Sequence, residues 1–181
     1  AWAAVPNFFF VTGGLMHQSK ELNWKKYLNK LLRAYLVLCI WKILYLFFYS
    51  AFQEVAFSKT EFIEYLFVFG DISGVNAGHL WFMYAYLFVL LFYPVSWFLF
   101  QNRKTGRLIL TYLAGILFAG TFLVSAGNFI FKLISDVTGL NQLSISVAAV
   151  FPFGRYANAL FFFIAGGFLL AYREKIKEFM K

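Results

Sequence analysis

Residues 80–100 read LWFMYAYLFVLLFYPVSWFLF, an apolar and aromatic run without a single charged side chain. As a helix this run would be about 31 Å long, which matches a hydrocarbon layer roughly 30 Å thick. A segment that crosses a bilayer must pair its backbone N–H and C=O groups without help from water, and a helix does so within one segment. The run therefore predicts a transmembrane helix, and it decides the fold class.

Similar runs occur along the whole chain, separated by charged or polar breaks. They predict an all-α, multi-pass transmembrane helix bundle that forms a single domain over residues 1–181, with about five spans. The predicted spans cover residues 1–16, 31–52, 80–100, 108–130 and 156–172. Residues 143–153 are apolar but too short to span comfortably, which predicts a re-entrant or interfacial segment. Residues 59–69 are expected to lie in the plane of the interface.

The composition supports lipid as the solvent of the chain, since 62% of the residues are hydrophobic and only 13% are charged. The net charge of +8 could indicate nucleic acid, but the basic residues cluster at the ends of apolar runs. Flanking Lys and Arg mark the cytoplasmic ends of membrane helices. We therefore predict a lipid bilayer as the partner and no nucleic acid.

The basic residues also predict an orientation, because 12 of the 16 fall in three segments that five spans would place on one side. These segments are residues 17–33, 101–107 and 173–181. The positive-inside rule makes that side cytoplasmic and puts the N-terminal end of the chain outside. With no Met at the start, this topology predicts at least one further span upstream.

Few side chains inside the predicted spans could carry chemistry. Lys42 is the only charged residue inside a long span, where it either faces a cavity or makes a tertiary hydrogen bond. His79, at the outer end of the third span, is either a general acid or base oriented by Asp71 or half of an interfacial His–Trp pair with Trp81. His17 is expected to be a solvated helix end.

The cysteine and the glycine pairs of the sequence do not indicate a catalytic site. The single cysteine, Cys39, excludes an internal disulfide and a cysteine metal cluster, and no metal site is predicted. No pattern typical of a hydrolase, metalloprotease or nucleotide-binding site occurs. The pairs at residues 13–14 and 166–167 are glycines, which permit close packing of helices.

Three basic residues share one face of the helix that enters the second span. Lys26, Lys30 and Arg33 lie at i, i+4 and i+7 and could hold an anionic group such as a phosphate. The alternative is that they only set the topology and contact lipid headgroups.

Three stretches resemble the membrane acyltransferase 3 family, multi-pass enzymes that O-acylate sugars and other cell-envelope molecules. They are VPNFFFVTGGLM at 5–16 with KYLNKLLRAYLVLCIW at 26–41, GHLWFMYAYLFVLLFYPV at 78–95, and ANALFFFIAGGFLLAYREKI at 157–176. The second is the most specific. Residues that match the family motifs are Pro6, Phe9, Gly13, Lys30, Arg33, His79, Leu80, Trp81 and Phe82.

The resemblance implies a bacterial plasma-membrane enzyme with cytoplasmic basic loops. It implies acyl-CoA, chiefly acetyl-CoA, as co-substrate, no bound cofactor, and a sugar or glycan hydroxyl as acceptor. Lys26, Lys30 and Arg33 would bind the donor phosphates, and the acceptor or cavity residues would be His79, Trp81, Lys42 and Arg155. The family's essential His belongs to a helix before the first motif, so it is expected upstream; within this sequence His79 is the candidate. Later spans are also expected beyond Lys181.

Two other functions stay open. The first is an amino-acid transporter or binding domain, because related membrane domains also occur fused to racemases. An upstream His-bearing helix would predict acyl transfer, whereas a C-terminal racemase domain would predict uptake. The second is a structural membrane subunit without chemistry.

Overall fold

The computed structural model describes residues 4–19, 21–53, 56–67, 77–102, 104–139, 144, 156–173 and 177–178. The described residues form helices, and no strand occurs among them. The predicted all-α class of a helical membrane bundle is confirmed. The predicted segment at 143–153 lies outside the described residues except for Ser144.

The described residues contain seven α-helices. They are α1 (Ala4–His17), α2 (Trp24–Phe52), α3 (Lys59–Phe67), α4 (Trp81–Gln101), α5 (Thr105–Phe118), α6 (Val124–Thr138) and α7 (Ala157–Ala171). A 3₁₀ turn, Gly78–Leu80, precedes α4, and a π-helical segment, Ala119–Leu123, joins α5 to α6.

Among the described residues, three continuous helical stretches are long and apolar enough to cross a membrane: Trp24–Phe52, Gly78–Gln101 and Thr105–Thr138. Helices α1 and α7 have 14 and 15 residues. They would be about 21 and 22 Å long, shorter than the roughly 30 Å hydrocarbon layer. The crossing of the membrane by these two helices, and hence the count of five spans, stays a prediction.

The outer faces of the long helices are apolar. Phe47 on α2 is 71% exposed and Val137 on α6 is 85% exposed. Large apolar surfaces of this kind would favour aggregation in water, whereas in a bilayer they contact lipid chains. The chain is therefore a membrane protein.

The chain divides into two compact units, residues 1–21 with 92–181 and residues 22–91, and the division falls within α4. In the first unit, α7 is the central helix, because it packs against both α1 and α5. Its buried residues include Leu160, Phe163, Ile164, Gly166 and Gly167. The single-domain interpretation stays a prediction.

Contacts within the first unit define the relative directions of its helices. Contacts of Gly13 with Phe163 and of His17 with Gly167 show that α1 and α7 run parallel. Ring pairs Phe118–Phe161 and Phe122–Phe161, with Arg107 over Tyr172, show that α5 and the π-helical segment run antiparallel to α7. The cytoplasmic assignment of either end stays a prediction.

Glycines set the distance between α1 and α7. A Cβ on Gly13 would overlap the backbone carbonyl of Phe163, and a Cβ on Gly166 would overlap the carbonyl of Phe10. The helices are thus in backbone contact, as small residues allow in membrane proteins. The predicted role of these glycines in close helix packing is confirmed.

In the second unit, α2 packs against α3, and Tyr27 of α2 reaches α4. Pro94 lacks an N–H group, so the carbonyl of Leu90, four residues earlier, cannot receive its usual helical hydrogen bond. The Tyr27 hydroxyl donates to this carbonyl at 3.1 Å. A tertiary contact therefore satisfies the backbone group that the proline leaves exposed.

Helix α3 begins with a capping box. The Ser58 backbone N–H donates to the Glu61 carboxylate at 2.8 Å, and the Glu61 N–H donates to the Ser58 hydroxyl at 3.2 Å. The hydrogen bonds that the Ser58 backbone and side chain make to the Glu61 carboxylate hold the pKa of this group below its ordinary value. The capping box fixes the start of the helix that carries Tyr65, and this residue contributes to the candidate site.

Candidate functional site

The side chain of Lys42 is buried in the second unit, with 1% of its surface exposed. Its Nζ donates a hydrogen bond to the Tyr65 carbonyl oxygen at 2.6 Å. The same Nζ lies 4.8 Å from the ring centroid of Tyr65 and 5.2 Å from that of Tyr84. We call Lys42, Tyr65 and Tyr84 the Lys42 cage, to which α2, α3 and α4 contribute one residue each.

The Lys42 cage offsets part of the cost of burying an ammonium group. Moving an ammonium ion out of water is expensive unless hydrogen bonds and negative partial charges replace its hydration. Here a carbonyl oxygen and the negative faces of two tyrosine rings surround the nitrogen. Of the two alternatives for Lys42, the structure shows the tertiary hydrogen bond, while its role as a cavity residue stays a prediction.

His79 and Trp81 lie at the start of α4, close in sequence to the cage. His79 is the middle residue of the 3₁₀ turn and is exposed, whereas its neighbour Leu80 is buried. Trp81 is the first residue of α4 and is 38% exposed. Tyr84 follows Trp81 by one helical turn, so Lys42 contacts the beginning of the helix that the GHLW motif opens.

Two predicted residues cannot be placed. Arg155, predicted for the acceptor or cavity, and Asp71, suggested to orient His79, lie outside the described residues. The structure brings Lys42 to the start of α4. Within the described part of the chain, His79 has no hydrogen-bond partner that would orient it as a general base.

The three basic residues predicted for the donor lie in the first turns of α2. Asn23 caps this helix, since its side-chain oxygen accepts from the Lys26 backbone N–H at 3.0 Å. Lys26, Lys30 and Arg33 are all exposed, and helical periodicity places them on one face. This face differs from the one that buries Tyr27, Ala34 and Leu38.

The expectation of a solvated His17 is wrong. Its ring is half-buried, and Nδ1 lies 2.7 Å from the Gly13 carbonyl oxygen, which can only accept, so Nδ1 carries a proton. Nε2 lies 2.9 Å from the buried Ser96 hydroxyl. The ring also packs on Phe100 and Phe163, with centroids 4.5 and 5.0 Å away.

The pairing of His17 with Ser96 has the hydrogen-bond geometry of a base and a nucleophile. However, Ser96 is fully buried, its hydroxyl also lies 2.9 Å from the Tyr93 carbonyl, and neither residue lines the grooves described below. We therefore assign His17 a structural role, in which it connects α1 with α4 and α7. Tyr93 of α4 also contributes, because its hydroxyl donates to the Met16 carbonyl at 2.9 Å.

No metal centre is evident in the part of the chain that the structure describes, where no three His, Cys, Asp or Glu side chains come together. In the second unit the helices position two chemical features. One is the buried ammonium group of Lys42, which contacts the start of α4, and the other is the exposed basic face of α2.

These features belong to an α-helical membrane protein that buries the charge of Lys42, and its family follows from comparison with known proteins. A family model described as an acyltransferase domain matches residues 3–181, nearly the whole chain. The chain therefore belongs to the acyltransferase 3 family, as its three motifs predicted. Comparison with curated proteins and with solved structures gives no match.

Proposed function

We propose that this membrane acyltransferase moves an acyl group, chiefly acetyl, from a cytoplasmic acyl-CoA to a hydroxyl of a cell-envelope sugar or polysaccharide. The observation that carries the proposal is the family match over residues 3–181. In this proposal the protein lies in a bacterial plasma membrane with its basic loops in the cytoplasm, and a glycan is its acceptor.

The donor side of the proposal rests on the basic face of α2. Lys26, Lys30 and Arg33 are exposed at the end of a helix long enough to cross the membrane. Arg binds a phosphate through two parallel hydrogen bonds, whereas Lys attracts it as a point charge. Together they suit the phosphates of coenzyme A. The donor would bind at this face before its acyl group moves toward the acceptor.

The acceptor side of the proposal rests on the Lys42 cage with His79 and Trp81. A hydroxyl that attacks a thioester must lose its proton, and the carbonyl oxygen gains negative charge as the new C–O bond forms. This charge returns to the carbonyl when the C–S bond breaks and the coenzyme A thiolate leaves. The Lys42 ammonium supplies a fixed positive charge near the start of α4 that would stabilise this oxyanion. Trp81 would shape the cavity, and His79 would take the proton.

The donor site has a direct test in the full-length protein. Because each residue would contact a phosphate, the double substitution Lys30→Ala with Arg33→Ala should raise the KM for acetyl-CoA at least about tenfold, with little change in kcat. Initial rates measured over a range of acetyl-CoA concentrations give both constants.

Lys59→Ala is the matched control, since Lys59 is exposed on α3 and away from the basic face. Its KM should equal that of the unsubstituted enzyme. An unchanged KM and an unchanged acylation rate in the double variant would rule out this donor site.

A further inference from the structure

A groove of about 220 Å³ runs along the contact between α1 and α7 in the first unit. Phe10, Val11 and Leu15 of α1 form one wall, and Leu169 and Leu170 of α7 form the other. The walls are apolar along most of their length, which suits a hydrocarbon chain.

Glycines form the floor of this α1/α7 groove. Gly14 and Gly166 both line it, and a Cβ on Gly14 would lie 3.4 Å from the Gly166 carbonyl oxygen. Because neither residue has a side chain, the helix surfaces are concave where the backbones approach. The groove therefore follows from the same residues that bring α1 and α7 into contact.

One end of the groove is polar and positively charged. Gln18, just after α1, and Arg173, just after α7, both line it. Since α1 and α7 run parallel, these two side chains lie at the same end of the unit. Arg107, whose guanidinium lies 5.6 Å from the ring centroid of Tyr172, and the exposed Lys104 belong to this end as well.

The dimensions and charge match one class of ligand. From Phe10 to Gln18 the helix rises about 12 Å, enough for much of an acyl chain. A guanidinium group binds a phosphate through two hydrogen bonds, and an amide can donate a third. A second groove of about 420 Å³, between α2 and the first half of α4, has no basic residue in its lining, so charge does not select a ligand there.

We propose that the α1/α7 groove is a binding site for an anionic phospholipid, with one acyl chain between the leucines and the phosphate group on Arg173 and Gln18. The lipid belongs to the leaflet at the basic end of the unit. This inference does not depend on the donor or the acceptor of the acyl transfer. It assigns a ligand to a surface that the proposed reaction does not use.

A photoreactive benzoylphenylalanine in place of Leu169, which is 47% exposed and lines the groove, tests the proposal in the full-length protein. The protein is placed in nanodiscs of phosphatidylcholine that contain a minor share of phosphatidylglycerol, and cross-linked lipids are identified by mass spectrometry. We expect phosphatidylglycerol to be enriched about fivefold over its share in the nanodisc, the order of preference that one basic side chain gives near a membrane surface.

Three variants distinguish a specific contact of Arg173 with the lipid phosphate from a general effect of positive surface charge. Arg173→Gln should reduce the enrichment to the bulk share, Arg173→Lys should retain most of it, and the control Lys104→Gln should leave it unchanged. Both residues are exposed. Cross-linking at the bulk share in the unsubstituted protein, or equal enrichment in Arg173→Gln, would overturn the proposal. Displacement of phosphatidylglycerol by acyl-CoA would also overturn it, because the occupant would then be the acyl donor.

Discussion

Replacing Gly13 with alanine should lower the thermal stability of the detergent-solubilised protein, and Gly166→Ala should do the same. In each case the added Cβ would meet a backbone carbonyl of the facing helix, Phe163 or Phe10, which cannot rotate away as a side chain could. Helices α1 and α7 would have to separate, at a cost of about 1–3 kcal/mol or more. The fraction of protein that stays monodisperse after heating measures the change.

Gly115→Ala is the matched control, because Gly115 lies in α5 and a Cβ there would meet nothing within 4 Å. This variant should be as stable as the unsubstituted protein or more stable, by up to about 1 kcal/mol, since alanine favours a helix over glycine. If Gly13→Ala and Gly115→Ala melted alike, the backbone contact between α1 and α7 would not hold the first unit together.

Replacing Lys42 with methionine should strongly reduce acyl transfer while the protein keeps its fold. Methionine is of similar length and apolar, and replacing a buried charge by a hydrophobic residue is often neutral or stabilising. The ammonium would be gone from its position 5.2 Å from the Tyr84 ring centroid, and with it the positive charge proposed to stabilise the oxyanion. We expect kcat to fall at least about a hundredfold, as for other lost oxyanion-stabilising groups.

The comparison with Lys59→Met distinguishes this role from a structural one. Lys59 is exposed on α3 in the same unit, so its replacement should change neither kcat nor stability. A Lys42→Met protein that is less abundant or less stable, yet has unchanged activity per folded molecule, would show that Lys42 serves only the packing of α2, α3 and α4.

Hydropathy located the long apolar helices but not their ends. The predicted span at residues 80–100 agrees with α4, Trp81–Gln101, because its apolar run ends abruptly at polar residues. Helix α2 begins at Trp24, seven residues before the predicted span, since the Asn23 cap starts the helix while the chain is still basic. The stretch from Thr105 to Thr138 continues beyond the predicted end at residue 130, because Lys132 and Asp136 lower hydropathy but do not end a helix.

Of the Lys42 cage, the sequence pointed to Lys42 and not to its contacts. Lys42 stood out because a charge inside an apolar run is costly, but its partners Tyr65 and Tyr84 lie 23 and 42 residues further along the chain, where no local pattern points to them. His17 was misjudged for the same reason. Its place beside a basic loop suggested solvent, whereas Ser96 is 79 residues away in sequence.

The most direct test of the proposed reaction is transfer of label from acetyl-CoA by membranes that contain the full-length protein. We predict label on glycan or lipid-linked acceptors, absent from membranes without the protein and strongly reduced in those with the Lys42→Met variant. If the folded protein instead took up a labelled amino acid and left every acceptor unlabelled, the proposal of acyl transfer from acyl-CoA would be contradicted.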